Sequence, residues 1–170
     1  MKRLGLLLLF IIAAGTAQLV HAVDPETLTE DEIIMIGRNC REAQRNLQRI
    51  QYVDPLTRVS RGNATANIVK LMSALNARAA NNTYNIPALV TATSNVQRLR
   101  QAFADDYTNY EIGLREIVTM DCENNPLGFY RKLEDVRNKR AVLSVRTREI
   151  DQQLDLFSQH ISDLNNLVKE

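Results

Sequence analysis

Histidine, cysteine and glycine are scarce in this 170-residue chain, and each scarcity removes a class of function. Beyond residue 22 there is one histidine, His160, and there are two cysteines, Cys40 and Cys122, so a metal centre with several His or Cys ligands is excluded by count. His160 has no thiol near it in sequence and no motif around it, which reads as an ordinary helix-surface histidine. Four glycines in the same stretch leave little from which to build a phosphate-cradling loop. No Walker A segment, Gly-rich dinucleotide turn or nucleophile elbow occurs. A global field of one sign is missing too: without Lys2 and Arg3 the chain has 19 basic and 20 acidic residues, a net charge of about −1. Nucleic acid is therefore a poor default partner. The expectation is a protein that is not an enzyme, with no catalytic residue, no cofactor and no metal.

What is present begins with an export signal. Lys2 and Arg3 precede an apolar run from Leu4 to Ala14, and Val20-His21-Ala22 offers the residues a signal peptidase reads, so residues 1–22 are expected to be removed after Ala22. Gly15, Thr16 and Gln18 interrupt the run before it reaches the roughly 20 apolar residues of a membrane span. No transmembrane segment is expected after cleavage, and residues 23–170 are read as one domain in a secreted or extracytoplasmic setting, periplasm or cell surface. An even pair of cysteines in an oxidising compartment favours a Cys40–Cys122 disulfide. Closing that 82-residue separation is worth about 4 to 5 kcal/mol on chain entropy.

The fold class expected is all-α, an elongated bundle of four helices whose last two form a long antiparallel coiled-coil hairpin. Phe129, Leu133, Val136, Arg140, Leu143, Thr147, Ile150, Leu154, Phe157, Ile161, Leu164 and Val168 are spaced alternately by four and three, the seam of one long helix starting at Pro126. A third helix, 87–121, repeats the heptad with Leu89, Val96, Phe103, Tyr110 and Ile117 in one column and Thr93, Arg100, Tyr107 and Leu114 in the other. The short link from Cys122 to Asn125 turns it back on the fourth, setting Leu114 near Leu133, Tyr107 near Arg140 and Arg100 near Thr147, with Arg140 reaching Asp106. Three of the four prolines, Pro55, Pro87 and Pro126, fall where a helix is expected to start. On that punctuation helix one runs 30–52, opened by a Thr29–Glu32 capping box, with Ile33, Ile36, Cys40, Ala43, Leu47 and Ile50 facing inward. Helix two runs 56–81 with Ile68, Met72, Leu75 and Ala79 on one face.

Three places invite a functional reading. Arg38, Arg41, Arg45 and Arg49 form a basic stripe opposite the seam of helix one, suited to an anionic partner such as teichoic acid, peptidoglycan carboxylates, anionic lipid or phosphate; a solvated helix face is the ordinary alternative. Phe103, Tyr107, Tyr110, Phe129 and Tyr130 form an aromatic group whose ordinary reading is core packing. Asp121-Cys122-Glu123-Asn124-Asn125 gathers oxygens at the hairpin tip without the spacing or turn glycine of a calcium loop.

Cys40, Arg58-Val59-Ser60-Arg61-Gly62, Leu71-Met72, Asn76-Ala77-Arg78, Asp121-Cys122, Phe129-Tyr130 and Arg137 to Arg140 together resemble a pattern in an uncharacterised family of exported all-helical proteins from reduced-genome, candidate-phylum bacteria. The resemblance covers nearly all of residues 23–170. It implies a bacterial host, which makes the glycosylation-like Asn63-Ala64-Thr65 and Asn81-Asn82-Thr83 chance matches, and it carries no activity onto any residue. The function expected is a non-enzymatic envelope or surface protein that binds protein partners or a cell-envelope polymer. Self-association through the helical seams is open, and a periplasmic holdase chaperone or a helical subunit of a secretion or pilus apparatus are the alternatives. Leu99, Val118, Val142, Val145, Leu156 and Leu167 are expected either to meet helices one and two or to form an oligomer interface.

Overall fold

The computed structural model describes residues 28–169, which form three α-helices and, among the described residues, no strand. The expected signal segment 1–22 lies outside them. Helix α1 spans Glu30–Asn81, α2 spans Pro87–Thr119 and α3 spans Pro126–Lys169. At 1.5 Å per residue these are rods of about 78, 50 and 66 Å.

Each start has a local cause. Thr29 Oγ1 accepts from the Glu32 amide while the Glu32 carboxylate accepts from the Thr29 amide at 2.8 Å, a complete capping box, and Glu30, Asp31 and Glu32 place negative charge at the positive end of the helix. Pro87 and Pro126 open α2 and α3, where an amide proton would have had no partner in the helix. Asn125 completes the start of α3 by accepting the Gly128 amide at 3.0 Å through its side-chain oxygen. Between α1 and α2 the chain turns within a few residues, using Thr83 in the left-handed region at φ 66°.

The expectation of four helices is corrected to three. Pro55 and Gly62 stand inside α1, which runs unbroken through both. An internal proline removes one hydrogen bond and crowds the preceding turn, a cost of about 3 kcal/mol in isolation. What offsets it comes from other helices. Tyr110 of α2 donates its hydroxyl to Asp54 Oδ2 at 2.8 Å, Arg140 of α3 lies 3.6 Å from the other Asp54 oxygen, and the Arg58 guanidinium sits 4.6 Å over the Tyr107 ring. Asp54 and Arg58 flank the proline on the inner face, so both sides of it are fastened to the bundle.

Contacts fix the directions of the rods. Glu116 pairs with Lys132 near the tip while Asn95 donates to Gln153 at 3.1 Å far from it, so α2 and α3 run antiparallel. Asn76 donates to Thr93 at 2.9 Å, Tyr110 reaches Asp54, and Cys122 meets Cys40, so α1 is antiparallel to α2 as well. The α2–α3 register differs from expectation in one pair: Asp106 is taken by Arg146 at 2.9 Å, and Arg140 turns to Asp54 instead. Arg146 stands about one and two-thirds turns beyond Arg140 along α3, and α1 supplies the carboxylate that Arg140 meets.

The core is two apolar clusters. One holds Cys40 and Leu47 of α1, Tyr110, Leu114 and Ile117 of α2, Cys122, and Phe129, Val136 and Leu143 of α3. The other holds Val69 and Met72 of α1, Leu89, Val96 and Leu99 of α2, and Ile150 and Phe157 of α3. The α3 column Phe129, Val136, Leu143, Ile150, Phe157 is buried throughout, whereas Arg140 and Ile161 of the other column are exposed. On α1, no residue between Leu47 and Val69 is fully buried. Val69 rather than Ile68 turns inward. Leu99 is buried and Val118 is partly so, while Val142, Val145 and Leu156 are exposed.

Near the tip the Cys40 and Cys122 sulfurs stand at bonding distance, with Cα atoms 5.9 Å apart and both side chains buried. Beside them Gln44, a polar residue on the buried face, donates its side-chain amide to the Ile117 carbonyl at 3.0 Å and the Met120 carbonyl at 2.7 Å. These are carbonyls at the end of α2 that the helix itself leaves without partners.

Two substitutions test this arrangement. Pro55→Ala restores an amide to the middle of α1 and is expected to raise the unfolding free energy by about 1 to 3 kcal/mol in denaturant titration; a decrease would show that α1 depends on the proline. Cys40→Ser is expected to lower stability by about 2 to 5 kcal/mol in oxidising buffer and to match the wild type in reductant. Equal stability of the two proteins without reductant would mean that the cysteine pair contributes nothing.

Candidate interaction face

α1 is amphipathic in an unusual way, because its solvent side changes character along its length. Stepping by three and four from the start, the outward positions read Ile34, Arg38, Arg41, Arg45, Arg49, Tyr52, Leu56 and Val59, and every one is exposed. Tyr52 has 77% of its surface free and Leu56 63%, with Val53 beside them. The first half of the face is basic and the second apolar. The two meet at Arg49 and Tyr52, one turn before Pro55.

The four arginines are not equivalent. Arg41 turns toward the tip and pairs with Glu123 at 3.0 Å. That pairing raises the guanidinium's pKa and, with its hydrogen bond, holds the Glu123 carboxyl below the usual range. Among the described residues Arg38, Arg45 and Arg49 have no ion-pair partner. From Arg38 to Lys70 the chain carries seven basic residues and two carboxylates. One of the two, Asp54, is drawn inward by Tyr110 and Arg140.

The other expected places have structural occupants. Phe103, Tyr107 and Tyr110 stack edge and face along α2 with ring centres about 6 Å apart, and Phe129 is buried against the same cluster, with Tyr130 half-buried at its border. Burial, reinforced by the Asp54 carboxylate, pushes the Tyr110 hydroxyl far above the ordinary tyrosine range, so it stays a donor. At the tip, Asp121 accepts from the Asn124 side chain at 2.8 Å and from its backbone amide at 3.4 Å, which lowers the Asp121 pKa. Those contacts fold the link between α2 and α3. His160 lies half-exposed on α3, 3.9 Å from Asp163. Among the described residues no group of three or more His, Cys, Asp or Glu side chains converges, and no helix is long and apolar enough to cross a membrane.

Two shallow grooves flank the face. At the tip, Ile33, Ile34, Gly37 and Arg38 of α1 border Glu123 and Pro126 around about 470 Å³. A Cβ built at Gly37 would stand 3.6 Å from Pro126, an ordinary van der Waals contact, so the groove does not depend on the glycine. At the far end, Ile68, Leu71 and Leu75 of α1 oppose Leu154, Phe157 and Ile161 of α3 across about 440 Å³ of apolar space.

Tyr52, Val53, Leu56 and Val59 were not among the sequence-predicted candidates. Tyr52 closes the expected helix one, and a break at residues 53–55 separates Leu56 and Val59 from the arginines, so only on a continuous helix do they extend the same stripe. The signal was the unbroken three-and-four spacing from Arg38 to Val59.

The tip offers a titration test. Glu123 and Asp121 have lowered pKa values in the folded state, so each contributes stability that is present above its ordinary value and lost as the pH falls through the lowered one. Both are fully exposed, which keeps the effect small. The thermal midpoint is expected to decline by a few degrees as pH falls below about 4.5, and Arg41→Gln is expected to flatten the part due to Glu123. A midpoint in Arg41→Gln with the same acid dependence as the wild type would remove the pair from the account.

No protein-family model, curated protein or solved structure matches the chain.

Proposed function

We propose that this chain is an exported, non-enzymatic helical protein of the bacterial cell envelope or surface, in which an α2–α3 coiled-coil hairpin, tied to α1 by a Cys40–Cys122 disulfide, serves as a rigid support for a binding face. The observation that carries the reading is the outer side of α1. Arg38, Arg45 and Arg49 are exposed without acidic partners, and they run directly into exposed Tyr52, Val53, Leu56 and Val59. A solvated helix face ordinarily mixes both charge signs and shows few large apolar side chains. Here one side of the longest helix is basic and apolar over about 32 Å, from Arg38 to Val59.

The remaining features suit such a role. A buried cysteine pair fits an oxidising compartment. A bundle only three helices thick has a small core, and a covalent tie between the first helix and the tip would fasten the basic end of the face to the hairpin.

A second reading has an observation of its own. The apolar groove between Ile68, Leu71, Leu75 and Leu154, Phe157, Ile161 offers a surface to unfolded segments, as a holdase chaperone requires. Suppression of aggregation of a denatured client by this protein at equimolar concentration, abolished by Leu71→Asp, would favour that reading over the first.

The leading reading is tested with the exported protein and isolated bacterial envelopes, sedimented together across a salt series. Wild type is expected to co-sediment, and Arg38→Glu/Arg45→Glu/Arg49→Glu to remain in the supernatant with unchanged helicity. Equal sedimentation of the two proteins, or none by either, would refute a role for this face.

A further inference from the structure

Resting on the reading of α1 as a binding face, we infer that its ligand is an anionic lipid surface, on which the helix lies lengthwise. Arg38, Arg45 and Arg49 meet headgroup phosphates, and Tyr52, Val53, Leu56 and Val59 enter the boundary between headgroups and acyl chains.

Charge complementarity argues for it first. Within α1 the only carboxylate on the outward side between Arg38 and Val59 is Glu42, since Asp54 is committed to Tyr110 and Arg140 on the inner side, and Glu123 at the tip is taken by Arg41. A second copy of the same face brings no carboxylate but Glu42 to Arg38, Arg45 and Arg49, so self-association there would leave most of this charge unneutralised. The shape argues in the same direction. The stripe runs along the exposed side of one helix, and the two grooves lie toward its ends, the nearer one bordered by Arg38 itself. A protein partner gains most where an anchor fills a pocket, whereas a bilayer surface asks only for a basic and apolar line of sufficient length.

The chemistry of the residues completes the case. Tyr52 is exposed on the outward side and carries an apolar ring with a polar tip, which suits a side chain lying between headgroups and acyl chains. Arginine forks match phosphate oxygens in paired hydrogen bonds. The inner face stays bound to α2 and α3 throughout, because Asp54, Arg58 and Leu47 hold α1 to the bundle beneath the exposed stripe. No unfolding is needed for docking.

The test uses the full chain expressed with its own N-terminal segment, purified after export, with its N-terminus read by mass spectrometry. Flotation is measured with extruded vesicles of phosphatidylglycerol mixed with phosphatidylcholine and with vesicles of phosphatidylcholine alone. Binding to the anionic vesicles only is expected, weakening as salt rises. Arg45→Gln/Arg49→Gln should lose about fivefold in affinity for each arginine removed. Leu56→Ser/Val59→Ser should weaken binding while leaving the thermal midpoint in place, because both side chains are exposed. Inorganic phosphate at millimolar concentration is expected not to compete; full competition would reassign the face to free phosphate. Equal binding to both vesicle types, or equal binding by wild type and the arginine variant, would overturn the proposal. Binding to whole envelopes without binding to anionic vesicles would overturn the lipid assignment alone and leave the interaction face standing, whereas loss of both would remove the face as well.

Discussion

The shortest helix carries the structure. α2 is the one element against which both others pack closely, and α1 touches α3 least. With 33 residues it presents ten buried positions, including Leu89, Val96, Tyr110, Leu114 and Ile117, on a face wide enough for two neighbours. α1 and α3 are longer than the helix that covers them. Whatever α2 cannot cover must be held by other means or be left to solvent. The apolar groove lies between α1 and α3, the pair that touches least, and Cys122 stands just past the end of α2.

Polar contacts fasten what apolar packing does not. Between the two clusters α1 is held by Asp54 and Arg58, whose partners Tyr110, Tyr107 and Arg140 come from both other helices. A single such contact contributes about 1 to 3 kcal/mol when a charged group accepts or donates. Together they are of the size needed to carry a helix through an internal proline. Gln44 plays the corresponding part at the tip. It fills the unpaired carbonyls at the end of α2 from a different helix, which sets the height of α1 against α2 before any bond between sulfurs is considered.

Much of the fold can be read from local rules, and the exceptions share a cause. The seam column of α3 from Phe129 to Phe157 is buried, and Thr29, Pro87 and Pro126 mark helix starts, because spacing and backbone chemistry decide these within a few residues. Pro55 obeys no local rule: its neighbours are fastened to Tyr110, far away in the chain. Gln44 is illegible for the same reason, since an amide among apolar residues reads as a solvent position unless the end of α2 is known to lie opposite. Val69 rather than Ile68 joins Met72 of α1 and Leu89 of α2 in one cluster, a choice that depends on where α2 lies. The candidate face suffered most. Arg38, Arg41, Arg45 and Arg49 are visible as a stripe, but a helix ended at residue 52 conceals its continuation beyond Tyr52 into Leu56 and Val59. It also gives no hint that Arg41 answers to Glu123 across the bundle.

Helices ordinarily loosen from their ends, where hydrogen bonds lack flanking turns. α1 reverses the order. Its first turn is closed by the Thr29–Glu32 box and its first half by the tip cluster, while its last turns are gripped by Val69, Met72 and Ala79. Only the stretch on either side of Pro55 rests on isolated polar contacts, and the amide that would have bridged it is missing. Deuterium should therefore enter the centre of the longest helix sooner than its two halves. The rod then behaves as two stiff segments joined at a compliant middle, placed where the basic half of its outer side gives way to the apolar half.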